Sequence, residues 1–107
     1  MQIQLQAFGK KGGSLRRAIT SDLTKRGHDV LSVVKKVDLE RKPGWAKIVG
    51  RGLAGALNIE WDASAHMLLA RAITKAGNKP HKLLAVFLEY LIQRHGKRIA
   101  SINIQLR

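Results

Sequence analysis

The sequence predicts a single α+β domain that spans residues 1–107, with a mostly antiparallel sheet packed against helices. Some segments alternate apolar with polar residues, others repeat apolar residues at helical spacing, and the two kinds are irregularly interleaved. The length suits one domain, and a hydrophobic content of 45% is normal for a globular protein. The expected order of elements is β-α-β-β-β-α-α-β.

The first three elements follow from local patterns. Strict alternation of apolar residues with glutamine over residues 1–8 predicts a half-buried strand. A glycine-rich turn follows at residues 9–13, and Ser14 is placed to cap a helix that ends at Gly27. Residues 30–37 are rich in β-branched side chains and predict the second strand.

The only two tryptophans bracket a predicted hairpin. Residues 45–51 and 57–61 alternate in polarity, with glycines between them, so Trp45 and Trp61 should face each other across two strands. The pair could stabilise the hairpin or form a stacking platform for exposed bases. Hairpin stabilisation is favoured, because aromatic residues total only 5% of the chain.

The second half of the chain predicts two helices and a final strand. Residues 62–76 carry one apolar stripe, with Asp62 or Ser64 as the cap. Residues 80–95 are apolar over most of a helical circumference, which predicts a third helix that is central to the core. Residues 99–106 alternate again, in a pattern similar to the first strand, so we expect these two strands to be neighbours.

The charge of the chain is its main functional signal. Twenty Lys and Arg residues against seven Asp and Glu give a formal net charge of +13. Self-repulsion of this size destabilises a compact state, so we expect a function that requires it. The basic residues are spread along the chain in pairs, with no block of five or six like charges. The positive surface therefore belongs to the folded body, and its expected partner is nucleic acid.

Several other classes of protein are excluded or disfavoured. The absence of cysteine excludes disulfides, cysteine-ligated zinc and thiol catalysis. The first residues do not resemble a signal peptide, and the longest apolar run, residues 83–88, is too short to span a bilayer. No predicted helix combines a basic face with exposed Trp or Phe, so no membrane partner is expected. We expect a cytoplasmic protein.

The glycine-rich turn is the most suggestive local feature. It opens a helix whose first N–H groups lack partners, which is the arrangement that holds phosphate in many proteins. The spacing of a Walker A loop is absent, and a solvated loop is the alternative interpretation. The candidate nucleic-acid contacts, which include the exposed side of the first helix, are Lys10, Lys11, Arg16, Arg17 and Lys25.

A second group of cations follows in the predicted second helix and beyond it. Arg71 and Lys75 stand at positions i and i+4, and Lys79 and Lys82 come next. We expect them to form a second basic stripe that continues the first.

No motif identifies a catalytic or metal site, and no cofactor is expected. None of the four histidines has metal-ligand spacing; they are His28, His66, His81 and His95. Asp38, Glu40 and Lys42 form a D-x-E-x-K string of the kind that holds Mg²⁺ in some nucleases, but local salt bridging explains it more simply.

The sequence therefore predicts a small basic nucleic-acid-binding protein that contacts the phosphate backbone with little base-specific readout. Enzymatic activity is not the favoured prediction. A small basic nuclease, similar to a ribonuclease toxin, is one alternative, and an interaction module or subunit for an acidic protein is another. A symmetric homodimer is possible if an end strand is left as an unpaired sheet edge.

Overall fold

The computed structural model describes residues 2–34, 45–75 and 79–106. Within these ranges the chain forms two α-helices, one short 3-10 turn and six strands, so the predicted α+β class is confirmed. In chain order the elements are β1 (Gln2–Gly9), α1 (Leu15–Lys25), β2 (Leu31–Val33), β3 (Ala46–Gly50), β4 (Ala56–Asp62), β5 (Met67–Ile73), α2 (His81–His95), the 3-10 turn (Gly96–Arg98) and β6 (Ile99–Leu106).

The strands form one sheet in the order β2-β3-β4-β5-β1-β6. Every pair of neighbours is antiparallel. The predicted adjacency of the first and last strands is confirmed, since Leu5 of β1 lies opposite Ile104 of β6. Within the described ranges, β2 and β6 are the two edge strands.

The helix predicted over residues 62–76 is wrong, because most of this segment forms β5. Leu68, Ala70 and Ala72 alternate with partly exposed residues and are fully buried against the neighbouring strands. Alanine and leucine favour helices in isolation, but pairing with β1 on one side and β4 on the other overrides that preference. Asp62 caps a turn and not a helix, because its carboxylate accepts from the Ser64 N–H at 3.0 Å.

The core lies on one face of the sheet, under both helices. Ile3, Leu5 and Ala7 of β1 point to this face and are buried, and the alternate glutamines of β1 point to the other face. α2 contributes Phe87 and Leu91, each with no exposed surface, so the predicted central place of this helix is confirmed. Only one side of α2 is buried, since Ile92 on its other side is exposed.

The two tryptophans do not face each other. Ala46 pairs with Ile59, which puts Trp45 and Trp61 one residue out of register. The predicted cross-strand pair is therefore wrong. Trp61 packs against the core and makes an edge contact with the ring of His66, with 4.9 Å between ring centroids.

A buried polar cluster joins the two helices. Asp22 of α1 accepts hydrogen bonds from Tyr90 Oη at 2.7 Å and from Arg94 Nη1 at 3.0 Å. His95 Nε2 lies 2.9 Å from the same Tyr90 oxygen. Because Tyr90 donates to the carboxylate, its oxygen is left to accept a hydrogen bond from His95.

Burial and these contacts shift the ionisation of the cluster. Burial opposes ionisation of Asp22, but the hydrogen bonds from Tyr90 and Arg94 outweigh it, so the pKa of this carboxyl lies below its usual range. Burial and the Asp22 carboxylate raise the pKa of Tyr90 far above its ordinary value. Burial lowers the pKa of His95. The cluster therefore favours an ionised Asp22, a neutral Tyr90 and a neutral His95.

Candidate nucleic-acid interface

The glycine-rich turn joins β1 to α1 as the sequence predicts, and the 3-10 turn lies beside it. The Lys10 N–H donates to the Arg98 carbonyl at 2.8 Å, and Arg98 Nη2 donates to the Gly13 carbonyl at 3.2 Å. Ser14 caps α1, because its hydroxyl accepts from the Arg17 N–H at 3.2 Å. These contacts bring two lysine- and arginine-containing turns together at one end of the sheet.

Six cations belong to these two turns and to the start of α1, and we call this group the loop patch. Four of them are exposed and the other two are partly buried. Within the described ranges, the ion pairs join Arg26, Arg71 and Arg94 to carboxylates, and none involves the loop patch. Its positive charge is therefore not neutralised by described acidic side chains. The loop patch consists of Lys10, Lys11, Arg16, Arg17, Lys97 and Arg98.

Arg16 is the cation in the loop patch with the clearest unmet requirement. Its Nε atom is buried and has no hydrogen-bond partner within the described part of the protein. Burial, and secondarily the charge of Arg17, lowers the pKa of Arg16. The side chain as a whole is only partly buried, so a bound anion would supply a counter-charge to its guanidinium group.

The loop patch is anchored from behind by the β4–β5 turn. The Gly9 N–H donates to the His66 carbonyl at 2.9 Å, and the His66 ring contacts the Lys10 carbonyl through Nε2. A Cβ atom on Gly9 would lie only 3.0 Å from the His66 ring, so glycine permits this close approach. His66 itself has a positive φ of 52°, which is unusual for a residue with a side chain.

The sequence reasoning did not assign Lys97, Arg98 or His66 to this surface. The positions of Lys97 and Arg98 could have been predicted from the expected pairing of the first and last strands. If that pairing is antiparallel, residues just before β6 lie beside those just after β1. No local signal marks His66, whose position depends on the pairing of β1 with β5.

Lys25 lies apart from the other residues of the first predicted group. It is in the last turn of α1, nine residues after Arg16. At about 1.5 Å per residue, the two positions are roughly 14 Å apart along the helix axis. Four of the five cations in that group therefore cluster, and Lys25 does not join them.

The second predicted group lies at the opposite end of the sheet, so the expectation of one continuous stripe is wrong. β5 runs from Met67, opposite Phe8, to Ile73, opposite Gln2. This span of about six residues, at roughly 3.3 Å each, is close to 20 Å. The group was also expected to begin in a helix, but Arg71 lies in the strand β5. Its members are Arg71 in β5, Lys75 after β5, Lys79 before α2 and Lys82 in the first turn of α2.

Arg71 differs from the rest of its group because it has an acidic neighbour. It points to the sheet face opposite the helices, where its Nη1 atom lies 3.4 Å from Glu60 Oε1. Lys75 lines a shallow groove of about 460 Å³ together with Lys47, over an apolar floor that includes Val49 and Ile73.

The contacts that the structure shows for His28, His66 and His95 are with backbone or side-chain groups of the fold itself. His28 Nδ1 accepts from the Val30 N–H at 3.1 Å and the Leu31 N–H at 3.0 Å, and His95 contacts Tyr90. No group of three or more His, Asp or Glu side chains that could hold a metal occurs among the described residues. The string Asp38, Glu40 and Lys42 lies outside those residues.

Comparisons of the chain with protein-family models, with curated proteins and with solved structures found no match. Neither described helix has the length and apolar character that a bilayer span requires.

Proposed function

We propose that this protein binds nucleic acid through its phosphate backbone and that the loop patch is the contact surface. The observation that carries the proposal is the grouping of six cations around the start of a helix, without described carboxylate partners. Phosphate oxygens match this surface, because they accept from arginine, lysine and free helical N–H groups alike. We also propose a cytoplasmic location, where nucleic acid is abundant.

The described surface favours backbone contacts over base stacking. The sheet face that the helices leave uncovered carries mainly amide and aliphatic side chains, such as Gln4, Asn103 and Leu69. Within the described strands, Phe8 is the one aromatic residue on this face. Stacking platforms for single strands use successive aromatic side chains, so affinity should depend little on base sequence.

Fluorescence anisotropy with labelled duplex DNA, single-stranded DNA and RNA tests the proposal. The double variant Lys11→Gln/Arg17→Gln removes two exposed cations from the loop patch. The double variant Lys79→Gln/Lys82→Gln removes the same charge at the opposite end of the sheet and is the matched control. We expect at least a tenfold loss of affinity for the first variant, because each contact of an exposed cation with phosphate contributes roughly 1 kcal/mol.

The comparison of the two variants decides where the contact lies. Equal losses would mean that net charge alone, and not the loop patch, governs binding. No binding of any nucleic acid at low salt would reject the proposed function.

The same samples distinguish the two alternative functions. Incubation with RNA and DNA, with and without Mg²⁺, would reveal a nuclease by cleavage that Glu40→Gln or a single His→Ala change abolishes. Pull-down after nuclease treatment would reveal an acidic protein partner that does not depend on nucleic acid.

A further inference from the structure

The outer edge of β6 lacks most of the features that usually protect an edge strand, and its one irregularity, at Ala100, lies near the start of the strand. Natural edge strands are short, or carry charges, prolines or bulges that block pairing with another chain. β6 has eight residues, Ile99–Leu106, with no charge and no proline among them. Within the described ranges no strand pairs with its outer side. The opposite edge strand, β2, is only three residues long.

Exposed apolar side chains accompany this open edge. Ile92 of α2 is 59% exposed, and Ile104 and Leu106 of β6 are 42% and 77% exposed. A shallow cleft of about 280 Å³ lies between α2 and β6 and is lined by Ile92, Ile99 and Ile102, among others. The uncovered edge is therefore also the place where the apolar core reaches the surface.

We propose that a second copy of this chain pairs with β6 in antiparallel orientation, so that two sheets join across a two-fold axis. With Asn103 opposite its own copy, residues 100–106 of both chains pair, and Ile104 lies opposite Ile102 of the second copy. Both side chains point to the core face, because Ile102 and Ile104 pair with the buried residues Ala7 and Leu5. Apolar side chains of β6 therefore lie opposite apolar side chains of the same strand in the second copy.

This register is selected over its neighbours. A shift by one residue would put apolar side chains opposite polar ones on the wrong face. A shift by two residues in one direction places Leu106 opposite Arg98, and in the other direction leaves only five residues paired. The chosen register pairs seven uncharged residues and keeps the irregular position at Ala100 at the end of the paired segment, whereas the first of these shifts would place it inside that segment.

The charge of the molecule indicates why β6 meets a second copy and not nucleic acid. Two chains that each carry +13 repel one another, and an uncharged strand is where they can approach at least cost. Nucleic acid gains little from a strand with no cation. The dimer would place the two loop patches about 27 Å apart along the strand direction, roughly eight residues at 3.4 Å. The inference does not depend on the proposed function.

Light scattering after size-exclusion chromatography, on nuclease-treated protein at high salt, tests the dimer without nucleic acid. We expect a mass of twice the 11.9 kDa chain for the wild type and for Ile73→Lys. We expect the single-chain mass for Ile104→Lys. Ile73 is a matched control, because it is also 42% exposed but lies in the interior strand β5. A wild-type monomer, or a dimer that Ile104→Lys leaves intact, would overturn the proposal.

Cross-linking gives a second test in which β6 keeps its apolar residues. The chain has no cysteine, so Asn103→Cys introduces a single thiol that should oxidise to a disulfide-linked dimer across the axis. Opposed Cβ atoms in an antiparallel pair are about 4.5–5.5 Å apart, within reach after small adjustments. Ser32→Cys on the other edge strand is the control and should remain largely monomeric on non-reducing gels after the same oxidation. Equal cross-linking of the two variants would contradict the β6 interface.

Discussion

Replacing Asp22 by asparagine should remove much of the coupling between the two helices. The carboxylate accepts from Tyr90 and Arg94, and Arg26 lies 3.6 Å from its other oxygen. Its side chain is only 11% exposed, so water cannot readily replace these partners. A hydrogen bond to a charged group contributes about 1.5–3 kcal/mol, and breaking a buried pair costs about 3–5 kcal/mol.

We therefore expect Asp22→Asn to lower the free energy of unfolding by about 3 kcal/mol. At roughly 4–8 °C per kcal/mol for a small domain, the melting temperature should fall by about 12–24 °C. Arg94 also donates to the Gly27 carbonyl at 2.7 Å, which limits the loss, because one of its contacts survives.

Urea denaturation followed by circular dichroism at neutral pH measures this effect. Glu89→Gln is the matched control, since this carboxylate is on α2 but exposed and accepts a hydrogen bond from the Gln93 side chain at 3.3 Å. The control should change stability by less than about 0.5 kcal/mol. If Asp22→Asn were as mild as Glu89→Gln, the buried cluster would not hold the helices together.

Two further predictions concern pH and backbone geometry. Because burial lowers the pKa of His95 in the folded state, the unfolded chain takes up that proton first as pH falls below about 6.5, and stability is lost from there downwards. His95→Gln should therefore reduce the fall in melting temperature between neutral and mildly acidic pH; an unchanged profile would mean that other groups cause it. Gly55 has a φ of +92°, and an added Cβ would lie 2.6 Å from the Ile73 carbonyl oxygen. Gly55→Ala should therefore destabilise the fold by about 2–3 kcal/mol, whereas Gly13→Ala, with nothing within 4 Å, should change it little; equal melting temperatures would contradict this.

Local patterns were enough to predict most of the fold. Alternation identified β1 and β6, and their similar patterns predicted that they are neighbours, as Leu5 opposite Ile104 confirms. The segment around β5 was assigned to the wrong class because Leu68, Leu69 and Ala72 fit a helical stripe as well as a strand. Its conformation is decided by partners that are distant in sequence, which a local pattern does not contain.

The candidate site was predictable only where its residues are contiguous. Lys10, Lys11, Arg16 and Arg17 belong to one turn and the helix that follows, so the sequence places them together. Lys25 was grouped with them because it is on the same helix. It lies in the last turn of α1, however, which is too far along the helix axis from Arg16 to share one surface. Arg98 joins the surface through strand pairing, which depends on the fold.

The salt dependence of nucleic-acid affinity tests the central claim most directly. If all six cations of the loop patch contact phosphates, log K against log salt concentration should fall with a slope of about −5 on duplex DNA and about −4 on a single strand. This corresponds to a loss of roughly a thousandfold on duplex DNA between about 50 and 200 mM salt. The Lys11→Gln/Arg17→Gln variant should have a slope that is shallower by about 1.5–2. Binding that is insensitive to salt, or a slope that this variant leaves unchanged, would contradict the account.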